Sequence, residues 1–354
     1  MSGDSRQLKI NLHIKFLQRF LHNAPKSLAT YEPIRPTIIF FIVSSLDLLN
    51  DIDSISAAEK SAICDWIYQM QAEPRSEAHE ESHAMNYGFF GSRTLVFQDS
   101  DNHDLSEYNF GQLGMTYSCL CTLIILGDDL SRVNKSAILK SIKHLQSENG
   151  SFLANVGSSE SDMRFVYCAI VICYILNDFS HINVPKCVDF ISKSVHYDGG
   201  ISLEPNLESH GGSSFCAIAA LHLLDQLKTA LNPNQLKRIQ RWLILRQQSG
   251  FQGRPEKDVD TCYSFWVGAA LKLIDSFDFV DREKNKQSIM GCQDRFRGGF
   301  SKFLYTEVDL LHTYFALCGL SLMEEPGLLE MNPALNMSVR AFRHLKQLHD
   351  TWNN

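Results

Sequence analysis

The stretch Gly250-Phe-Gln-Gly-Arg254-Pro-Glu-Lys257-Asp-Val-Asp260-Thr-Cys262-Tyr263-Ser-Phe-Trp266-Val-Gly-Ala-Ala-Leu-Lys-Leu-Ile274 leaves a glycine turn, crosses a polar run and enters a segment that is apolar on nearly every side. The same succession follows Gly150-Ser-Phe152, Gly199-Gly-Ile201 and Gly299-Phe300. Taking Gly150, Gly200, Gly250 and Gly299 as markers, the steps are 50, 50 and 49 residues. A fixed period of this length signals an array of supersecondary units.

Each unit pairs two kinds of helix. Asn134 opens a segment whose Ile138, Leu139, Ile142 and Leu145 share one face; Asn232-Pro233 is an N-cap followed by proline at the first helical position; Ser56 with Glu59 forms a capping box. These helices have one buried face. The partners, Phe165 to Leu176, Phe215 to Leu224, Phe265 to Ile274 and Leu310 to Met323, are apolar all round and must be buried all round. Thr37 to Leu49 and Met115 to Leu126 have the same character. Six such helices alternating with amphipathic ones describe an all-α fold, an α6/α6 barrel (α/α toroid). A kelch propeller has a similar period, but its strands need an alternation that these segments lack.

At roughly 150 residues per domain, 354 residues suggest either two domains or one large repetitive one. The period favours one domain over residues 1–354. With 44% hydrophobic and 21% charged residues the chain is of globular composition, and its net charge of -7 argues against a broad nucleic-acid-binding surface. No apolar run approaches the roughly 20 residues that cross a bilayer. The polar Met1–Lys9 lacks a signal-peptide pattern, and ten cysteines scattered singly through apolar runs suit a reducing, cytoplasmic setting.

In such a barrel the glycine turns and the starts of the inner helices lie at one end, so matching positions converge. Ten residues past each glycine stand His210, Asp260 and Asp309, with Asp162 in the first unit. Polar residues at the mouths of apolar helices are costly unless partnered. Asp260, Cys262 and His312 would meet where two adjacent inner helices begin. Carboxylate, thiolate and imidazole together suit zinc, and three protein ligands leave a fourth position open. Taken singly, Asp260 also reads as an N-cap, Cys262 as a small buried side chain and His312 as a lone histidine on an apolar helix. Around them Arg254, Lys257, Lys302, His210 and the phenol of Tyr263 read as an anion site, the alternative being a rim of solvated charges. Below lie Phe40, Phe41, Tyr167, Cys216 and Trp266, a wall that could bind a long hydrocarbon or merely fill the barrel axis.

The run Gly250 to Gly268, with Glu208-Ser-His210-Gly-Gly and Leu126-Gly-Asp-Asp-Leu-Ser-Arg-Val-Asn-Lys135, resembles the β subunits of the protein prenyltransferases, those of the geranylgeranyl type I kind above all. The resemblance runs from about Phe16 to Trp352. It implies one half of a heterodimer with a helical-repeat α subunit that contributes a further lysine. The implied reaction moves a C20 isoprenoid from geranylgeranyl diphosphate to the cysteine of a C-terminal CaaX motif, X usually Leu, small GTPases being the substrate class.

By the same resemblance Asp260, Cys262 and His312 hold zinc, while His210, Arg254, Lys257, Tyr263 and Lys302 hold the diphosphate. Thr37, Phe41, Tyr167, Cys216 and Trp266 line the isoprenoid site. Gln112, Met115, Arg164, Phe165 and Leu311 meet the peptide. Lys302 stands where farnesyl enzymes carry a magnesium-binding aspartate, so its own charge is expected to make magnesium unnecessary. Thr37 stands where they carry a tryptophan, leaving room for another isoprene unit. Three departures are visible: Gln112 replaces an expected His, Gly114 an expected Ala, and Phe303 to Val308 lacks the usual Trp-Pro. The farnesyl and Rab-type β subunits, a triterpene-cyclase-like barrel that needs no zinc, and a barrel without catalysis are the competing readings.

Overall fold

The computed structural model describes residues 7–72, 86–95 and 110–353. The inner helices among them are α2 (Arg35–Leu48), α4 (Leu113–Leu126), α6 (Met163–Ile175), α8 (Gly211–Leu223), α10 (Tyr263–Leu273) and α12 (Leu310–Leu322). Each packs against the next, and α12 returns to α2, closing the ring. Each is preceded by an outer helix: α1 (Ile10–His22), α3 (Ala57–Tyr68), α5 (Lys135–Leu145), α7 (Val184–Lys193), α9 (Pro233–Ile244) and α11 (Arg282–Gly291). The α6/α6 toroid expected from the pattern is the fold. The caps are those the sequence announced, since Asn134 accepts the Ala137 N–H, and Ser56 with Glu59 and Asn232 with Gln235 form capping boxes.

Structural equivalence corrects the register of the repeat. Gly150, Gly199 and Gly298 all have positive φ (94°, 99° and 78°). A Cβ on them would lie 2.1, 2.8 and 2.2 Å from the carbonyl oxygens of Lys186, Arg238 and Leu12, each on the next outer helix round the ring. Gly199, not Gly200, is therefore the counterpart of Gly150. The fully buried Phe152, Ile201, Phe251 and Phe300 stand two positions after Gly150, Gly199, Ser249 and Gly298, in steps of 49, 50 and 49. A fifth turn, Gly88–Phe89, belongs to the same series: the Phe89 N–H donates to Thr116 Oγ1 as Ile201 does to Ser214 and Phe300 to Thr313.

The opposite ends of the inner helices are equally regular. Asn50, Asn177, Asp225, Asp275 and Glu324 take φ of 53° to 64°, and Gly127 takes 87°. After each, the next N–H reaches the carbonyl five residues back (Asp51 to Leu46, Asp128 to Leu123, Asp178 to Cys173, Gln226 to Leu221, Ser276 to Leu271, Glu325 to Leu320). These are Schellman closures, which satisfy carbonyls the helix leaves orphaned.

That end of the barrel is stoppered. A hairpin pairing Met331–Asn332 with Met337–Ser338 leads into α13 (Val339–Trp352). Tyr314 and Tyr167 donate to the carbonyls of Asn336 and Ala334 at 2.7 and 3.0 Å, and Asn336 Nδ2 donates to the Tyr117 hydroxyl. Buried Asp47 accepts from Ser338 and Arg340, and Arg340 also donates to the Ile125 carbonyl, so the plug is tied to the ends of α2 and α4. The other end, where the inner helices begin, carries the polar residues.

Candidate active site

Four of those polar residues do the same local work. Asp162, His210, Asp260 and Asp309 each accept a backbone N–H at the start of the following inner helix, from Arg164, Gly212, Cys262 and His312 respectively. Capping explains why a polar residue stands there. Beyond the cap their surroundings differ, and the difference makes the site.

Asp260, Cys262 and His312 come together with their ligand atoms all within 4.8 Å of one another. His312 Nε2 lies 3.4 Å from Asp260 Oδ1. Two ligands of one tetrahedral zinc stand roughly 3.3–3.7 Å apart given bonds of 2.0–2.3 Å, so this pair already has the spacing and the thiol needs a small approach. On the far side, His312 Nδ1 is 2.6 Å from Asp309 Oδ2. That contact directs the Nδ1 proton outward and leaves Nε2 for a metal. The residues thus fit zinc by donor set and by orientation.

The electrostatics point the same way. Burial disfavours charge on Asp260, yet hydrogen bonds from His312 and Cys262 outweigh it and hold the carboxyl below its ordinary range. Burial also opposes the His312 imidazolium, but Asp260 and Asp309 raise it to about 9. The Cys262 thiol is pushed well up, by burial first and by Asp260 second. A thiolate there requires a cation.

The residues expected to form an anion site lie beside this cluster. Lys302 Nζ lies 3.6 Å from Asp260 Oδ2. The Tyr263 hydroxyl is 2.9 Å from His210 Nε2. Because His210 Nδ1 accepts the Gly212 N–H, Nε2 carries the proton and donates to the phenol oxygen, which frees the phenol proton for an incoming anion. Burial, with Arg254 adding to it, lowers the His210 pKa and keeps the ring neutral. Tyr263 reaches this position because residue 253 is glycine: a Cβ there would sit 2.2 Å from the Tyr263 ring. Arg254 is held at 2.6 Å by Glu208, and Lys257 is exposed on the same loop.

Below the rim an aromatic belt encircles the lumen. Phe40, Tyr117, Tyr167, Phe215, Phe265 with Trp266, Phe315 and Tyr314 form an unbroken ring of contacts back to Phe40, with Phe41 beside it. Cys216 is buried among these inner helices.

A family model for the prenyltransferase alpha-alpha toroid domain matches residues 8–337. This chain belongs to that family. The prenyltransferase chain is 36% identical over 352 residues to the geranylgeranyl transferase type-1 subunit beta of Arabidopsis thaliana, covering 96% of this chain and 92% of the relative. It is 38% identical over 336 residues to the same subunit of Dictyostelium discoideum, covering 92% and 94%. Among solved structures it superposes on Candida albicans protein geranylgeranyltransferase-I complexed with GGPP, with TM-score 0.84, 25% identity and 97% and 99% coverage. The resemblance read from the motifs is borne out, and the chain is an enzyme subunit of this family.

The remaining residues of the prenyltransferase that sequence singled out lie at the mouth or on the wall. Thr37 Oγ1 is 3.0 Å from Ser118 Oγ and 3.7 Å from Met115 Sδ, bridging α2 to α4. Arg164 is locked by Nε and Nη contacts to both oxygens of Asp162 and lies over Phe165. Gln112 is the N-cap of α4 but makes no side-chain cap, and Leu311, in the first turn of α12, is 38% exposed. Sequence reading noted Asp309 as a rim residue but missed its grip on His312, although the Asp309-x-x-His312 spacing at a helix start was the available signal. It also missed Glu208 as the partner of Arg254, and the plug below the belt.

Proposed function

We propose that the chain, one barrel over residues 1–354, is the catalytic β subunit of a type I protein geranylgeranyltransferase. It would work with an α subunit on CaaX proteins such as small GTPases, in the cytoplasm. The observation that supports this most is the placing of Asp260, Cys262 and His312 between a cationic rim and an aromatic-walled lumen. No helix among the described residues is long and apolar enough to cross a membrane.

Zinc held by Asp260, Cys262 and His312 would supply a fourth position at which the substrate cysteine becomes a nucleophilic thiolate. The isoprenoid lies along Thr37, Phe41, Tyr167, Cys216 and Trp266, which exclude water from its reactive end. The sulfur attacks C1, the C–S bond forms, the C1–O bond breaks, and diphosphate departs with the electron pair. Negative charge grows on the bridging oxygen, and donors waiting where it grows lower the barrier. Arg254, Lys257 and Lys302 supply cations, Tyr263 its free phenol proton, and His210 orients that phenol. Lys302 beside Asp260 supports independence from magnesium. The peptide lies across the mouth against Gln112, Met115, Arg164, Phe165 and Leu311.

Co-expression with a prenyltransferase α subunit tests the reading. A heterodimer with one zinc per β subunit and transfer of a C20 group to a Leu-ending CaaX peptide is expected; a stable heterodimer lacking both would overturn it.

A further inference from the structure

Four seams between neighbouring repeats are tied in the same way near the mouth. The residue after each of Gln112, Asp162, His210 and Asp260 donates its backbone N–H to a carbonyl in the turn of the next repeat: Leu113 to Ala154, Met163 to Leu203, Gly211 to Gly253 and Thr261 to Lys302, at 2.8 to 3.2 Å. The acceptors each stand two positions past the buried Phe152, Ile201, Phe251 and Phe300. The side chains of Leu113 and Met163 bring no donor to the tie, and Gly211 has no side chain. Thr261, which is fully buried apart from 4% of its surface, adds one: its Oγ1 lies 2.8 Å from the Ser301 carbonyl oxygen and 3.1 Å from that of Lys302, sharing a single proton between them.

Backbone alone ties the other three seams, so holding the barrel together does not call for a hydroxyl at the fourth. What sets this seam apart is its cargo. Asp260 and Cys262 flank Thr261 on one side, and on the other the strand Phe300–Ser301 pairs with Val308–Asp309 and runs into Lys302. Ser301 Oγ donates onward to the Phe303 carbonyl at 2.7 Å. The Lys302 ammonium lies 5.0 Å from the centre of the Phe303 ring and 3.6 Å from Asp260 Oδ2. A lysine is a point charge on a flexible stem, so where its charge stands depends on how firmly the backbone beneath it is held.

We infer that Thr261 is a positioning residue for the transfer step: its hydroxyl, buried in the α10–α12 seam, fixes the backbone of Ser301 and Lys302 so that the Lys302 ammonium stands where charge gathers on the departing diphosphate. This rests on the transferase reading above. Thr261 touches neither donor nor peptide and acts through Lys302. Misplacing a charge-stabilising group by about 1 Å can cost up to roughly 100-fold in rate, and the hydroxyl is the contact that distinguishes this seam from its three counterparts.

The test measures the single-turnover rate of transfer by the intact heterodimer, with geranylgeranyl diphosphate and a Leu-ending CaaX peptide. Thr261→Val keeps the branched shape and loses the hydroxyl; it should slow transfer about tenfold, with zinc content and peptide KM unmoved. Thr261→Ser, which keeps the hydroxyl, should stay within about twofold of the wild type. In a Lys302→Ala background, Thr261→Val should cost less than about twofold, because the group it positions is already gone. The full tenfold loss in that background, an unchanged rate in Thr261→Val, or an equal loss in Thr261→Ser would overturn the inference and leave the transferase reading standing. If the valine variant does not assemble, Thr261→Ala takes its place; failure of both to assemble would make the hydroxyl a folding requirement and overturn the inference as well. Absence of transfer by the wild type to any CaaX peptide would overturn the transferase reading, and this inference with it.

Discussion

His312 Nδ1 sits 2.6 Å from Asp309 Oδ2, while the other oxygen of the same carboxylate accepts the His312 backbone N–H at 2.8 Å. One aspartate therefore caps α12 and sets the imidazole's tautomer. Asp309→Asn keeps an oxygen for the cap but removes the negative charge behind the ring. Zinc affinity of the variant heterodimer, measured by chelator competition, should fall roughly 10- to 100-fold, with binding of geranylgeranyl diphosphate little changed. Unchanged zinc affinity would reduce Asp309 to a cap.

Lys302 reaches to 3.6 Å from Asp260, at the edge of the proposed diphosphate site. If its charge stands in for a divalent ion, Lys302→Asp should turn a magnesium-indifferent enzyme into one whose turnover rises with millimolar magnesium. Magnesium-insensitive turnover in that variant would contradict the replacement.

Thr37 is tied to Ser118 and Met115 at the α2–α4 seam, and in the proposed function its small side chain leaves room for a longer donor. Thr37→Trp should shift donor preference from C20 toward C15 diphosphate, read as the ratio of kcat/KM for the two donors. An unchanged ratio would mean that chain length is measured elsewhere.

Much of this architecture is legible because its chemistry is strict. Phe152, Phe251 and Phe300 follow turns that only small residues can make under a neighbouring helix, and a polar residue at the mouth of an apolar helix is conspicuous at Asp260 or His210. The Gly199–Gly200 pair hid its register, since both residues are glycine and only φ tells which one makes the turn. The Schellman closures at Asn50, Asn177, Asp225 and Asp275 were invisible because asparagine and aspartate in a left-handed conformation look like any polar loop residue. Contacts such as Tyr167 to Ala334 join residues far apart in the chain, and no local pattern encodes them.

A buried histidine far from the chemistry gives the molecule an acid-sensitive joint. His13 of α1 is fully buried, stacks on Phe300 at 4.6 Å, accepts the Gly299 N–H at Nδ1 and donates from Nε2 to Gln293. Burial lowers its pKa from 6.5 to about 4, and the opposing contributions of Gln293 and Asp294 are smaller. Between those values the unfolded chain binds the proton and the folded chain does not, so stability is full above pH 6.5 and falls as pH drops toward 4. The loss amounts to about 2 kcal/mol by pH 5. Calorimetric Tm should therefore decline between pH 7 and 5 in the wild type. In His13→Gln, which starts lower at pH 7, the decline over the same interval should be shallower; parallel declines would place the acid sensitivity at other groups.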